Sequence, residues 1–209
     1  MTILALEFSS DHRSVALARA GRVLASAVET GGVRMTNAFG LIGKVLSEAN
    51  VARTEVEVIT VGLGPGSYTG IRAAIAVAQG WQLALGVKLL GISSVEALAA
   101  RAQAEKIFGR VNVVVDAQRG EFYLSTWDIS ADKREEVTPL KIVSAAEVAE
   151  PARKGIACVG PVAQTLLFPD AASLALLATG PANFVSGDRL EPIYLRETTF
   201  VKAPVARFV

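Results

Sequence analysis

An apolar run, Ile3-Leu4-Ala5-Leu6, opens the chain and predicts a buried strand over residues 2–8, closed by a turn at Ser9-Ser10-Asp11-His12. Residues 13–20 and 22–29 predict two further strands joined at Gly21, and Gly31-Gly32 breaks the pattern. Met35, Phe39, Ile42 and Leu46 then share a face at helical spacing and predict a helix over 35–50. A strand over 56–63, a helix over 69–85, a short strand over 87–91 and a helix over 93–103 follow. Ser93 with Glu96 three residues on has the pattern of a capping box.

The second half starts in the same way. A strand over 111–115 ends in Asp116-Ala117-Gln118-Arg119-Gly120, and strands over 121–128 and 137–143 follow. A short helix over 144–150 carries a second capping box, Ser144 with Glu147. A strand over 156–159 and a helix over 171–178 complete the repeat. Residues 180–192, rich in Gly, Pro, Asn and Asp, predict a loop, and 192–209 an extended tail that packs back on the body. The order βββαβαβα followed by a shorter βββαβα predicts an α/β protein of two similar lobes, 1–103 and 104–209, each with a mixed sheet. Ligands of such sheets usually sit in the cleft between lobes, near loops that leave the strands.

Composition narrows this picture. The 209 residues are 51% hydrophobic and only 6% aromatic, so Ala, Val and Leu must fill the core. A net charge of +1 does not suit a strongly basic nucleic-acid binder. Cys158 is the single cysteine, so no intramolecular disulfide can form, which fits a reducing cytosol. The first ten residues lack a basic start and carry Glu7, unlike a signal peptide. Residues 73–92 are interrupted by Gln79, Gln82 and Lys88 and split by Gly86, which predicts a helix and a strand rather than a membrane span.

Chemistry concentrates at Gly64-Pro65-Gly66-Ser67-Tyr68-Thr69-Gly70-Ile71-Arg72, a strand-to-helix corner. A Walker loop would need Lys and Ser/Thr after the last glycine, where Ile71 and Arg72 stand. The dinucleotide spacing G-x-G-x-x-G fails at Thr69 in one register and at Ser67 in the other. The corner is therefore either a turn capped by Ser67 or Thr69, or a phosphate cradle of unfamiliar spacing. Glu7 and Asp116 end the first strands of the two lobes and could face each other across the cleft. There, with Ser9 and Arg119, they could hold Mg²⁺ and a nucleotide. The alternative is that Asp116 caps a turn and Glu7 pairs with an arginine such as Arg119. His12 and Cys158, single residues of their types, supply neither a zinc site nor a catalytic triad. Small residues also line two helices: Gly40, Gly43 and Ser47 on the first, Ala73, Ala76 and Gly80 beside Ala74 and Val77 on the second. Such stripes permit close helix approach, either within the lobe or to another molecule.

Four segments carry a family resemblance. Residues 64–72 resemble the signature GPGS-(F/Y)-TG-(L/I)-R of the TsaB (YeaZ) family. Ile3 to Ser10, with Ser14-Val15-Ala16-Leu17, is similar to the family's opening ILAIDTS and SVAL. Val115 to Tyr123 is similar to VDARRGEVY, and Pro192-Ile193-Tyr194-Leu195-Arg196 to P-x-YLR. The resemblance implies a duplicated RNase H-like fold of the actin/Hsp70/sugar-kinase class. It also implies a cytoplasmic, non-catalytic companion of a TsaD-like transferase in making threonylcarbamoyladenosine beside the tRNA anticodon. Pairing with that transferase, or with a second copy as a homodimer, would use the helices at 35–50 and 69–85. Met35, Phe39, Ile42, Gly43 and Leu46 would supply one face, and Ala73, Ala76, Val77 and Gly80 the other. A TsaE-like ATPase would join the complex, tRNA would be met only through it, and no membrane is implied. ATP or ADP and metal would sit on the partner: the transferase holds its metal through an HxxxH pair, which a chain with His12 alone lacks. This also speaks against the peptidase label such proteins have carried. Two departures stand out: Glu7 replaces the family's Asp, and Thr36-Asn37-Ala38 replaces a His-Ser type stretch. A small ATP-dependent phosphotransferase using Glu7 and Asp116 is the competing reading. Against it, Gly155, Gly160 and Gly180 are scattered rather than gathered into an adenosine loop.

Overall fold

A computed structural model describes residues 1–31, 37–153, 155–180 and 183–196. Strands β1 (Thr2–Glu7), β2 (Arg13–Arg19) and β3 (Arg22–Glu29) form an antiparallel meander. Helix α1 (Ala38–Glu48), strand β4 (Val58–Gly62), helix α2 (Tyr68–Leu85), strand β5 (Lys88–Ile92) and helix α3 (Ser94–Ala104) complete the first half. The second half runs β6 (Gly109–Asp116), β7 (Glu121–Ile129), β8 (Arg134–Ser144), α4 (Ala145–Arg153), β9 (Ala157–Gly160), β10 (Thr165–Leu166) and α5 (Ala171–Leu177). The sheets have the orders β3-β2-β1-β4-β5 and β10-β9-β6-β7-β8, each with its first strand central and mixed pairing. The two-lobed α/β fold predicted from the sequence is present. Among the described residues, the two-residue β10 and two short 3-10 turns, Arg53–Glu55 and Gly187–Arg189, were not predicted.

Alternation along the central strands explains the layering. Leu4, Leu6, Val15, Leu17, Ile59 and Val61 point to one face of the first sheet, where α1 and α2 cover them. Ile3, Ala5, Ala16, Ala18 and Val58 point to the other, and there the cover is α5, through Ala171, Leu174, Ala175 and Ala178. Small side chains on both surfaces let this helix lie close to the sheet. The second sheet turns Val111, Val113, Val115, Tyr123 and Trp127 toward Val95, Leu98, Ala99 and Ala102 of α3. Its other face, with Val114, Leu124 and Val143, meets Val148 of α4. Each half of the chain thus lends a helix to the centre: α3 packs on the second sheet and α5 on the first, and the two touch each other. The expected boundary at 103/104 separates the sheets but not the hydrophobic clusters, since α5 completes the core of the first.

Ion pairing and capping pin this middle layer. Asp170 caps α5 by accepting from the Ser173 amide at 2.7 Å and pairs with Arg101 of α3 at 3.2 Å. The Ala171 amide donates to Ser14 Oγ of β2 at 2.9 Å. Of the two predicted capping boxes, Ser144 with Glu147 forms. Ser93 with Glu96 does not: the Ser93 side chain makes no cap bond and instead donates to the Gly64 carbonyl at 3.4 Å. No described helix is long and apolar enough to cross a membrane.

Leu174→Ala should cost about 2–5 kcal/mol, the usual range for a buried leucine truncation. Hydrogen exchange should locate the lost protection in β1 and β2, about 160 residues away in sequence but directly beneath the helix.

The glycine corner and the exposed helix faces

The corner after β4 is built on direct backbone contact. A Cβ at Gly66 would lie 2.1 Å from the Ser9 carbonyl oxygen, and one at Gly70 2.0 Å from that of Phe8. Glycine is required at both because the end of β1 occupies the space a side chain would need. Gly64, at φ +87°, adds a left-handed turn. The Ser67 amide donates to the Ser9 carbonyl at 2.7 Å, and Ser67 Oγ accepts from the Gly70 amide at 3.3 Å, capping α2. Gly64 is held at both ends: its amide donates to Ser94 Oγ at 3.1 Å, and its carbonyl accepts from the Ser94 amide at 2.8 Å. The amides that a phosphate cradle would use at Gly64, Ser67 and Gly70 are therefore engaged inside the protein. Of the two sequence readings, the Ser67-capped turn is the one the geometry favours; Thr69 is exposed on the first turn.

Glu7 lies at the heart of this arrangement. It is fully buried. Oε1 accepts from the Ser9 amide at 2.8 Å, and Oε2 accepts from the Ser94 hydroxyl at 2.8 Å. Its carboxylate lies against Gly62, where a Cβ would meet Oε2 at 2.0 Å. Burial pushes the Glu7 carboxyl above its ordinary range, against the opposing pull of hydrogen bonds from Ser9 and Ser94. The partners are thus backbone and serine, not the arginine that the sequence suggested as one alternative. Nor does Glu7 line a cleft with its equivalent across the lobes, because it and Ser9 are buried beneath the corner. Asp116 is exposed and caps its own turn, accepting from the Gln118 amide at 2.7 Å and side chain at 2.8 Å. Arg119 is exposed in the same turn. Among the described residues, no three His, Cys, Asp or Glu gather as metal ligands.

The predicted interface residues divide. Met35 lies outside the described residues. Ile42 and Leu46, expected on the partner face, belong to the core: α1 turns them, with Leu41 and Val45, down onto the first sheet. Phe39, spaced to share their face, is instead 68% exposed at the first turn, so among the described residues of the expected face only Ile42 and Leu46 are buried. Away from the core side, Gly40 is exposed and Gly43 half-buried. Asn37, in the departing stretch, caps this helix by accepting from the Gly40 amide at 3.1 Å. On α2, Ala76 and Gly80 are exposed and Ala73 and Val77 half-buried, while Ala74 faces the core. Nothing lies within 4 Å of a Cβ built at Gly43 or Gly80. Leu83, 89% exposed, extends the Ala76–Gly80 row; its spacing three beyond Gly80 was the signal available for finding it. Exposed Tyr68 stacks on Tyr194, centroids 5.5 Å apart, with the Arg72 guanidinium 5.3 Å above the Tyr68 ring. No sequence pattern joins residues so far apart.

Comparison with known proteins agrees with the motifs. The family model for TsaD, tRNA N6-adenosine threonylcarbamoyltransferase, matches residues 35–183. The tRNA threonylcarbamoyladenosine biosynthesis protein TsaB of Bacillus subtilis (strain 168) is 30% identical over 143 residues, covering 66% of this chain and 60% of that protein. TsaB of Escherichia coli (strain K12) is 30% identical over 123 residues, covering 59% of this chain and 53% of its own length. The chain thus spans little more than half the length of the curated relatives it matches. Among solved structures, an uncharacterized Pseudomonas aeruginosa protein with similarity to peptidase YEAZ superposes with a TM-score of 0.78 at 30% identity, covering 93% of this chain and 99% of the other. YeaZ from the same organism superposes with a TM-score of 0.75 at 29% identity, with the same coverage.

The raised Glu7 carboxyl gives a pH test. The native state keeps this proton at pH values where the unfolded chain, with an ordinary value of 4.5, has released it. The unfolded state then binds fewer protons, so Glu7 weakens the fold as pH rises through and above that value. Glu7→Gln stays neutral. Denaturant titrations between about pH 5 and about pH 8 should show the wild type losing stability relative to Glu7→Gln as pH rises. Parallel pH profiles would refute the assignment.

Proposed function

The chain belongs to the TsaB (YeaZ) family, and we propose that it acts as a non-catalytic scaffold in tRNA threonylcarbamoyladenosine formation, binding and activating a TsaD-like transferase. The observation that carries this reading is the outward side of α1 and α2. Two helices that pack their apolar sides on the first sheet leave Phe39 and Leu83 in solvent, beside open space at Gly43 and Gly80. Glycine in an exposed helix costs about 1 kcal/mol relative to alanine, and no described residue packs on Gly43 or Gly80 to account for it. A helix from a second molecule can approach closely over such a surface, and exposed Phe39 and Leu83 gain burial at its margins. Interface residues in this proposal are Phe39, Gly43, Ala73, Ala76, Val77 and Gly80, with Leu83 added; Ile42 and Leu46 support the helix from beneath.

A homodimer through the same surface would be the resting form, exchanged for the transferase. A TsaE-like ATPase would join afterwards, tRNA would be met in the assembled complex, and the setting would be cytoplasmic. Nucleotide and metal would be held by the partner. A phosphotransferase built on Glu7 and Asp116 is less well supported, since both Glu7 oxygens are engaged with Ser9 and Ser94 and the side chain is sealed from solvent.

Gly43→Arg and Ala76→Arg should leave the fold intact, as both side chains enter open or exposed positions. Each should abolish co-elution with a purified TsaD-like transferase. Wild-type complex formation by both folded variants would refute this surface. Calorimetry with Mg-ATP tests the enzyme reading: tight binding by the isolated chain would revive it.

A further inference from the structure

Two motifs remain without a role: the Asp116–Tyr123 segment and the Pro192–Arg196 end of the described chain. In the turn after β6, Gln118 (φ +64°), Arg119 (φ +59°) and Gly120 (φ +75°) are successive left-handed residues. Left-handed backbone is costly for residues other than glycine, and it persists only where surrounding contacts hold it. Two side chains hold it here. Asp116 accepts from the Gln118 amide at 2.7 Å and its side-chain amide at 2.8 Å. Arg196 donates to the Ala117 carbonyl at 3.1 Å and to Glu121 Oε2 at 2.6 Å.

Arg196 reaches this turn from a segment that packs on the first lobe. Leu190 is buried against Gly91 of β5. Next, the Ile193 amide donates to the carbonyl of Leu63, the residue that leads into the glycine corner, at 2.9 Å. Tyr194 stacks on Tyr68 at the start of α2. From Ile193 to Arg196 the chain advances three residues, a reach of at most about 10 Å. A link this short cannot absorb much movement of one lobe against the other without releasing an end.

We infer that Ile193–Arg196 is an interlobe latch, which holds the strained 117–120 turn closed and makes the seating of the glycine corner and the start of α2 depend on it. The latch is a property of the isolated chain and stands apart from the partner proposal. If that proposal also holds, whatever engages the exposed 118–120 turn would alter the first turn of the partner-binding helix.

Hydrogen exchange on the full chain tests this. Arg196→Ala should accelerate exchange roughly three- to tenfold at the amides of 117–121, the range expected for losing a partly exposed, charge-assisted contact. The same variant should also accelerate exchange across 64–71, in the other lobe. Glu121→Gln, which keeps its shape but loses its charge, should give the same two-sited pattern more weakly. It serves as the second variant if Arg196→Ala folds poorly. Arg119→Gly removes one left-handed strain, so adding it to Arg196→Ala should shrink the acceleration at both sites. Acceleration confined to 117–121 would show a local ion pair and overturn the latch. An Arg196→Ala effect unchanged by Arg119→Gly would remove strain from the account.

Discussion

The close approach of one loop backbone to the end of one strand organises this molecule. Phe8 and Ser9 pass so near the corner after β4 that Gly66 and Gly70 can carry no side chain. Glu7, immediately before them, fills the space over Gly62 and spends both oxygens on holding Ser9 and Ser94. Ser94 in turn carries the Gly64 amide, so one buried carboxyl connects β1, the corner and the start of α3. The glutamate side chain is long enough to reach across to the α3 N-terminus. Burying a carboxyl is costly, and its satisfied oxygens and raised proton affinity are how the fold accommodates it.

Fixing the corner fixes the direction of α2, and fixing α3 sets the middle layer. With α3 on the second sheet and α5 on the first, the inner faces of both sheets are covered by helices donated across the halves. The helices α1 and α2 are then left as an outer layer. Their inward faces meet Leu4, Leu6, Val15, Leu17, Ile59 and Val61. Their outward sides carry small residues with isolated large apolar ones, and among the described residues Gly43 and Gly80 have open space beside them. Helix α2 is also met at its edge by Gly187, which bonds Gln79 and Gln82, and at its start by Tyr194. The proposed role rests on that division between a packed inner side and an outer side that leaves Gly43 and Gly80 open.

Much of this was legible along the chain, and the reasons can be named. Central strands buried on both faces give continuous apolar runs, so β1, β4 and β6 stand out. The corner's glycines marked a site where backbone must come close to something. Boundaries shifted by one to three residues, as terminal turns commonly do. Which helix positions face outward was half legible. Helical spacing grouped Ile42 and Leu46 on one face of α1, but it set Phe39 with them, which is exposed, and periodicity does not say which way a face points. Small residues were the better guide to open space or exposure at Gly43, Ala76 and Gly80, though Ala74 of the same stripe is buried.

By itself the sequence determined the elements, their repeated order and the family, because those depend on local spacing and on short motifs. Only tertiary structure decided what Glu7 does, since Ser94 lies 87 residues away and no pattern along the chain pairs them. It also decided which capping box forms, because Ser93 meets the Gly64 carbonyl before it can turn to its own helix. The exchange of α3 and α5, and the strap that carries Arg196 from the glycine corner to the Glu121 turn, belong to the same class. Each is a contact between segments distant in sequence, set by how the elements pack in space. The composition of any one segment does not record it.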